Sequence, residues 1–366
     1  MAATPETVRR LSAKGCTLQV EQGAGAASGF DDEAYSEAGA QLIDPVAVAE
    51  SWRQADVVLA VQAAAIAEQR PELETLSPGA LLLGLLEPHG NEVLKQRLEQ
   101  QRLSAMALEL LPRISRAQTM DVLSSQANIA GYKAVLLASA ALDRYVPMLM
   151  TAAGTIQPAR ALILGAGVAG LQALATARRL GAVAYVSDVR AAAKEQVESL
   201  GGRFIDPPEL EQKPGETGGY AQQATEAFLA EQRRQLTEQL ALADMVICTA
   251  QVPGRPAPRL IDDAMLQHMR PGSVVVDLAV AQGGNCEGSE PGTTVLRHGV
   301  QLIGADQLPC SVANHASALY ARNVAALLEH LLAASGSEPS ALQLDLEDPI
   351  VSGCLFTHHA PAGGAA

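Results

Sequence analysis

The stretch ARALILGAGVAGLQALATARRLGAVAYVSDVR, residues 159–190, leaves this chain few ways to fold. An apolar run, Ala161–Leu164, meets a glycine cluster, Gly165-Ala166-Gly167-Val168-Ala169-Gly170. A helical pattern follows, with Leu171, Leu174 and Leu180 on one side, and Gly181 stops it. A second apolar run, Val183–Val186, ends in Asp188. Strand, turn, helix and strand in that order make one βαβ unit. Gly165 permits a tight turn off the strand, Gly167 lets a pyrophosphate approach the backbone, and Gly170 lets the helix pack closely on the strand. The unpaired N–H groups and positive end of the helix suit phosphate. Asp188 stands about 20 residues past the glycines, where a carboxylate bonds an adenine ribose 2′-OH. An acid there repels a 2′-phosphate and favours NAD over NADP, although Arg190 could pair with such a phosphate. A glycine turn alone is a weak sign; strand, helix and acid in place make it a strong one.

The chain has 366 residues, enough for a sizeable core and two domains. Aromatic residues are only 3%, so the core must be built from Ala, Leu and Val. A formal net charge of −14 argues against nucleic acid or an anionic membrane surface as partner. The closest approach to a membrane span, Ala134–Ala153, is broken by Asp143, Arg144 and Pro147, so no direct membrane insertion is expected. The opening MAATPETVRR has no apolar centre and is not a secretory signal. Cys16, Cys248, Cys286, Cys310 and Cys354 are widely spaced with no CxxC, which predicts reduced cytosolic thiols and no metal framework. His358-His359 reads as a solvated tail, Cys286 as an inert thiol, and Met148 and Met150 as core packing or a domain contact.

Helix and strand signals alternate on both sides of the glycine unit. Pro5–Lys14, Asp31–Ala38, Pro45–Gln54 and Asn91–Gln101 read as helices, and Thr17–Val20, Asp56–Val61, Ala80–Leu86 and Ser104–Leu110 as strands. This predicts an α/β layer with a mainly parallel sheet. Such a sheet usually opens on a strand, whereas this chain opens on a helix; either the first strand is absent or the true start lies upstream. Pro112–Gly131 is a polar connector that suits an interdomain cleft lining or an ordinary solvated loop, and Tyr132–Tyr145 is a long helix. Asp206–Gly219 is rich in Pro, Gly and acids and is a disordered or functional loop. Tyr220–Leu242 is helical, and Met245–Cys248 is a buried strand ending in Thr249-Ala250-Gln251. Val252–Pro258 holds Pro253, Pro256 and Pro258 and cannot be regular. Ile261–Met269 is a helix, Ser273–Ala279 a strand, Val295–Leu302 a short hairpin or paired strands, and Ala316–Leu332 the last long helix. Strand ends at Gly165, Asp188, Thr249 and Ala279 belong along one sheet edge, where ligands bind in open α/β folds.

Three strings, RISRAQTMDVLSSQANIAGYKAV, LGAGVAGLQALATARRLGAVAYVSDVRAAAKEQVESLGGRF and PGSVVVDLAVAQGGNC, closely resemble the soluble NAD(H)-binding component of proton-translocating NAD(P)+ transhydrogenases. That family includes alanine dehydrogenase as a more distant relative. The similarity runs from about Pro5 to Gly353. It implies two Rossmann-like doubly wound α/β domains, separated by a cleft and joined by long helices: 1–123 with 310–366, and 124–309. It also implies a homodimer that passes hydride between NADH and NADP+ held on a partner. Proton translocation through membrane-spanning subunits, including the NADP(H)-binding beta subunit, is coupled to that transfer. The chain then resembles the leading piece of a split alpha subunit, cytoplasmic and peripheral on the membrane through its partners.

The resemblance assigns Arg113, Ile114, Ser115, Gln118, Asp121 and Ser124 to the nicotinamide end. Gly165, Ala166, Gly167, Val168 and Gly170 fall to the pyrophosphate, and Asp188, Val189 and Arg190 to the adenosine. Gly219 and Tyr220 match a loop that closes over the nucleotide, and Gln232, Ala250 and Gln251 line it. Gln251 departs from the family, where an apolar residue is typical. Direct hydride transfer between two nicotinamide rings moves no proton at the substrate carbon, so amides and hydroxyls that position the rings suffice. The catalytic set this implies is Gln118, Arg113, Asp121 and Ser124; each could instead be a loop-capping polar residue. The rivals are an amino-acid dehydrogenase and a non-catalytic NAD(H)-binding module. Amino-acid dehydrogenase relatives carry a lysine where this chain has Ala60 and an aspartate where it has Ala281, and His89 is offset from their histidine.

Overall fold

The glycine-bearing segment supplies two inner strands of a seven-stranded sheet. The computed structural model describes residues 1–62, 70–208, 226–252, 254–334, 342 and 344–359. The chain divides into two units, one formed by Met1–Gln126 with Val312–Ala366 and the other by Ala127–Ser311.

In the second unit, β8 (Arg160–Leu164), helix α6 (Val168–Arg179) and β9 (Val183–Ser187) form the βαβ unit. The chain continues outward through α7 (Lys194–Ser199) to β10 (Arg203–Ile205). After α8 (Glu226–Leu240) it resumes on the other side of β8 with β11 (Met245–Cys248) and β12 (Val274–Asp277), then the hairpin β13 (Thr294–Arg297) and β14 (Val300–Gly304). The order β10-β9-β8-β11-β12-β14-β13 is parallel throughout except for β13. Winding reverses between β8 and β11, which is the switch point where such sheets open a crevice. Register pairs Leu164 with Ser187, and Cys248 with both Leu164 and Asp277, so the carboxyl ends lie level.

The central strands read as continuous apolar runs because both faces are covered. Ala161, Ile163, Met245, Ile247, Val274 and Val276 face a core with Ala134, Val135 and Ala138 of α5 (Val122–Ala141) and Ala173, Leu174 and Ala177 of α6. Leu162, Leu164, Val246, Cys248 and Val275 face the opposite core with Leu236 and Leu240 of α8. Small residues bring the helices close: a Cβ on Gly131 of α5 would overlap the Ala169 carbonyl of α6.

In the first unit, β3 (Val57–Gln62), β4 (Leu81–Leu85) and β5 (Ser104–Ala107) are parallel, and β15 (Leu355–Thr357) adds antiparallel to β5. Helix α10 (Ala313–Ala334) contributes Tyr320, Val324, Leu327 and Leu331 to one face of that sheet. Helix α1 (Pro5–Ser12) is joined to α10 by the ion pairs Arg10–Glu329 and Arg322–Glu6. A separate parallel pair, β1 (Gln19–Glu21) with β2 (Gln41–Ile43), completes the strands of this unit among the described residues.

Several expectations change. Only the first half of Pro112–Gly131 is a connector, because α5 starts at Val122, ten residues before Tyr132. The Asp121 carboxylate accepts from the Ser124 N–H at 2.9 Å and caps the helix, so the polar residues that follow are helical. The segment Met148–Ile156 is not core: β6 (Leu149–Thr151) and β7 (Gly154–Ile156) form a hairpin, and Met148 and Met150 are 56% and 75% exposed. The predicted helix Ile261–Met269 shortens to α9 (Asp263–Leu266). His358-His359 follow β15 directly, and the His359 N–H donates to Ser104 Oγ at 3.0 Å. Among the described residues, no helix is long and apolar enough to cross a membrane.

Replacing Gly131 with alanine should destabilise the protein by about 1–3 kcal/mol, because its methyl group meets backbone that cannot rotate away. Thermal unfolding checks this: a lowered midpoint is expected, and an unchanged midpoint would contradict the close α5–α6 packing.

Candidate functional site

The carboxyl edge of the seven-stranded sheet is shaped by backbone more than by side chains. Gly165 turns off β8 with φ +102°, a left-handed conformation that favours glycine. A Cβ there would come within 2.7 Å of Thr249 Oγ1. That hydroxyl bonds the carbonyls of Leu164 and Gly165 at 3.0 and 3.1 Å, tying the glycine turn to the end of β11. Gly170 approaches the turn from the other side, and a Cβ on it would collide with the Gly165 carbonyl. Gly167 differs from both, since nothing lies within 4 Å of where its Cβ would stand. Gly167 is also the N-cap of α6, and no side chain caps that helix. The result is open space beside uncapped N–H groups at the positive end of a helix, which fits a phosphate.

Asp188 follows the end of β9. Its Oδ2 accepts the Ala166 N–H at 2.7 Å, so the acid helps to shape the glycine turn. Arg190 donates its backbone N–H and Nε to Oδ1 and its Nη2 to Oδ2, at 2.8, 3.0 and 2.9 Å. The Asp188 side chain is 7% exposed, that of Arg190 61%. Burial alone would push the carboxyl up, but hydrogen bonds from the Arg190 guanidinium and the two backbone N–H groups outweigh it. The carboxyl is held below the ordinary carboxylate range. Val189, between them, is exposed.

On the other side of the switch point, Ala250 and Gln251 follow β11. Gln251 Nε2 donates to the Leu278 carbonyl at 2.9 Å. With Ala130, Ala169, Thr249, Leu278 and Gln307 it lines a cavity of about 160 Å³. Its amide therefore forms part of that wall where an apolar residue was expected. Gln232 lies half-buried in α8. Gly219 and Tyr220 fall outside the described residues.

The other predicted positions belong to the first unit. A 3-10 turn, Ser115–Met120, is anchored by buried Ala117 and Met120, spaced three apart as that helix requires. Ser115 and Gln118 of the turn are exposed, as are Arg113 and Ile114 just before it. Among the described residues, the side chains of Arg113 and Gln118 make no hydrogen bond or ion pair. Asp121 serves α5, and its Oδ2 also accepts the Ser124 hydroxyl at 2.6 Å. Asn323 of α10, which sequence reasoning missed, donates to the Thr119 carbonyl at 2.7 Å and accepts from the Ser125 hydroxyl at 2.8 Å. It thereby braces both flanks of Asp121; an amide within a long helix was its only signal. Thr249 was seen only as a strand end. Cys286, expected to be inert, is buried, and burial with the nearby Asp277 carboxylate pushes its thiol up to about 12.

Topology and site define the class: an α/β protein with a Rossmann-type sheet and a glycine-turn crevice at its switch point. The chain belongs to the alanine dehydrogenase/PNT family. The N-terminal domain of that family matches residues 1–130 and the C-terminal domain residues 134–361. The chain is 47% identical over 359 residues to the first part of the NAD(P) transhydrogenase alpha subunit of Rhodospirillum rubrum, covering 98% of this chain and 92% of that one. The solved transhydrogenase from Sinorhizobium meliloti is 43% identical, with a TM-score of 0.85 over 98% of this chain and 94% of that one. The alanine dehydrogenase of Bacillus subtilis is 29% identical over 322 residues, covering 85% of this chain and 76% of that one.

Because the Asp188 carboxyl is depressed in the folded state, its contribution to stability is full above its unfolded value of about 3.9 and is lost as pH falls through the folded value. Substituting Arg190 with alanine should raise the Asp188 titration point, followed by carboxyl-carbon NMR. A titration that does not move would contradict the clamp.

Proposed function

We propose that this chain is the NAD(H)-binding component of a proton-translocating transhydrogenase, Re/Si-specific, and that it passes hydride between NADH and NADP+ on a partner subunit. The single observation that carries the reading is the open space at Gly167, beside the uncapped start of α6 and Asp188 bonded to the glycine turn. The close relationship to transhydrogenase alpha subunits supports the same reading.

In this reading Gly165, Ala166, Gly167, Val168 and Gly170 hold the pyrophosphate by backbone approach and N–H donation. Asp188 accepts from the adenine ribose hydroxyl, which competes with the Arg190 guanidinium while the Ala166 bond stays. The carboxylate disfavours a 2′-phosphate. Val189, Gln232, Ala250 and Gln251 line the nucleotide, and Gly219 and Tyr220 are further contacts to it. Bound NADH supplies the hydride, and NADP+ on the partner receives it. Gln118, Arg113, Ile114, Ser115, Asp121 and Ser124 hold the nicotinamide end, with the exposed and unpaired Gln118 amide and Arg113 guanidinium available to it. The Asp121 carboxylate acts through Ser124 and the start of α5. No residue needs to take or give a proton, so rate depends on geometry and on excluding water.

In this reading the domains are 1–123 with 310–366, and 124–309, the second binding the dinucleotide. The protein works as a homodimer. The hairpin β6–β7 and the segment just before it, which expose Tyr145, Met148, Met150 and Ile156, form the surface best suited to a second copy. Membrane-spanning subunits, including the NADP(H)-binding beta subunit, are the partners, and they place the chain at the cytoplasmic face of the membrane. The amino-acid dehydrogenase reading lacks support at its key positions, which here are Ala60, buried in β3, and Ala281.

The test is titration of NADH fluorescence with purified protein. Saturable binding is expected, and Asp188→Ala should weaken it about tenfold, the loss of one charge-assisted hydrogen bond, with the circular dichroism spectrum intact. Wild-type protein that leaves NADH fluorescence unchanged would overturn the reading. For Gln118→Ala, transfer to NADP+ on the partner should fall more than NADH affinity does. Equal losses would remove Gln118 from the transfer step.

A further inference from the structure

The motif AQGGNC, residues 281–286, is part of the family resemblance, yet no nucleotide role falls on its asparagine. Asn285 is fully buried in the second unit. Its carboxamide makes three hydrogen bonds, all to backbone. Oδ1 accepts the Ala250 N–H at 3.0 Å, and Nδ2 donates to the carbonyls of Ala250 and Pro258, each at 2.8 Å. A side chain that pairs with both the N–H and the C=O of one residue does what a neighbouring strand would do. Ala250 needs this substitute. It lies past the last paired residue of β11, Cys248, and Val252–Pro258 behind it holds Pro253, Pro256 and Pro258, which have no N–H to extend the ladder.

The loop that carries Asn285 is itself fixed. Asp277, at the end of β12 and fully buried, accepts the Ala279 N–H and the Cys286 N–H, each at 2.9 Å. Gly283 and Gly284 turn between them with φ +97° and +77°, and a Cβ on Gly284 would stand 2.9 Å from Asp277 Oδ2. The Asn285 backbone carbonyl accepts from Leu260 and Ile261 at 2.8 and 3.0 Å. Asn285 therefore reaches Ala250 from a rigid base. On either side of Ala250, Thr249 grips the glycine turn and Gln251 lines the cavity.

We propose that Asn285 is a positioning residue for nucleotide binding: it sets the Thr249–Gln251 wall opposite the glycine turn without touching the nucleotide. The inference rests on the nucleotide reading above and extends it to a residue outside the assigned contacts. The carboxamide accepts one N–H and donates two at once, so neither a hydroxyl, with a single hydrogen to give, nor a carboxylate, with none, can replace it. Asn285→Ser is too short to reach Ala250. Asn285→Asp keeps the acceptor but turns an oxygen toward two carbonyls.

The experiment is NADH titration of wild type, Asn285→Ser, Asn285→Asp and a control, Val300→Ala, each well below its own melting midpoint. Val300 is buried at the amino end of β14, away from the crevice edge. Its truncation should lower the midpoint and leave NADH affinity within twofold. Both Asn285 variants should weaken NADH at least about tenfold while still folded. Affinity within twofold of wild type in either folded Asn285 variant would overturn the proposal. So would failure of both to fold, which would make Asn285 a determinant of folding, or an equal loss in Val300→Ala. If wild type itself binds no NADH, the functional reading fails first, and that result is distinct from all of these.

Discussion

Three backbones meet around the glycine turn with no side chain between them. The Gly165 carbonyl faces Gly170 of α6, and Ala169 of the same helix faces Gly131 of α5. Any Cβ at Gly170 or Gly131 would occupy the space of a carbonyl, so helix and turn hold their separation only with hydrogen at those positions. Thr249 fastens the assembly from the far side through the carbonyls of Leu164 and Gly165. This contact sets the start of α6, and with it the direction of the uncapped N–H groups. The scarcity of aromatic residues, 3% of the chain, follows the same logic, since alanine-rich faces let α5 and α6 lie close over the sheet.

Around that fixed turn, polar side chains brace backbone. Asp188 bonds the Ala166 N–H, Asn285 bonds both backbone groups of Ala250, and Asp277 holds the loop that presents Asn285. In the first unit Asn323 and Asp121 do comparable work for the segment that bears Gln118. Buried polar groups of this kind are worth little net stability when paired and are expensive when one partner is lost. They therefore specify shape. A protein proposed to transfer hydride by geometry, with no proton donor, has most use for such bracing.

Much of this was legible in the sequence where local signals are strong. The βαβ unit, the buried strand Met245–Cys248 and the hairpin across Val295–Leu302 all follow from period, glycine placement and apolar runs. The resemblance then identified the family. The start of α5 was misplaced because Ser124, Ser125, Gln126 and Asn128 read as loop, whereas a cap at Asp121 and burial of Ile129 and Ala134 make them helical. The hairpin β6–β7 escaped notice because its strands are three residues each and exposed, so no alternation marks them. Asn285 and Asn323 act over long separations in the chain. Nothing local announces which carbonyl a buried amide will find.

The chain is proposed to hold NADH so that its hydride passes to NADP+ on another subunit, not to or from a metabolite. Reduction of a nicotinamide analogue of NAD+ by NADPH, followed when this chain is mixed with its NADP(H)-binding partner, reads that transfer itself. Transfer that requires both proteins and saturates in the analogue is the expected result. No transfer by the mixture, or NAD+-dependent oxidation of alanine by this chain alone, would contradict it.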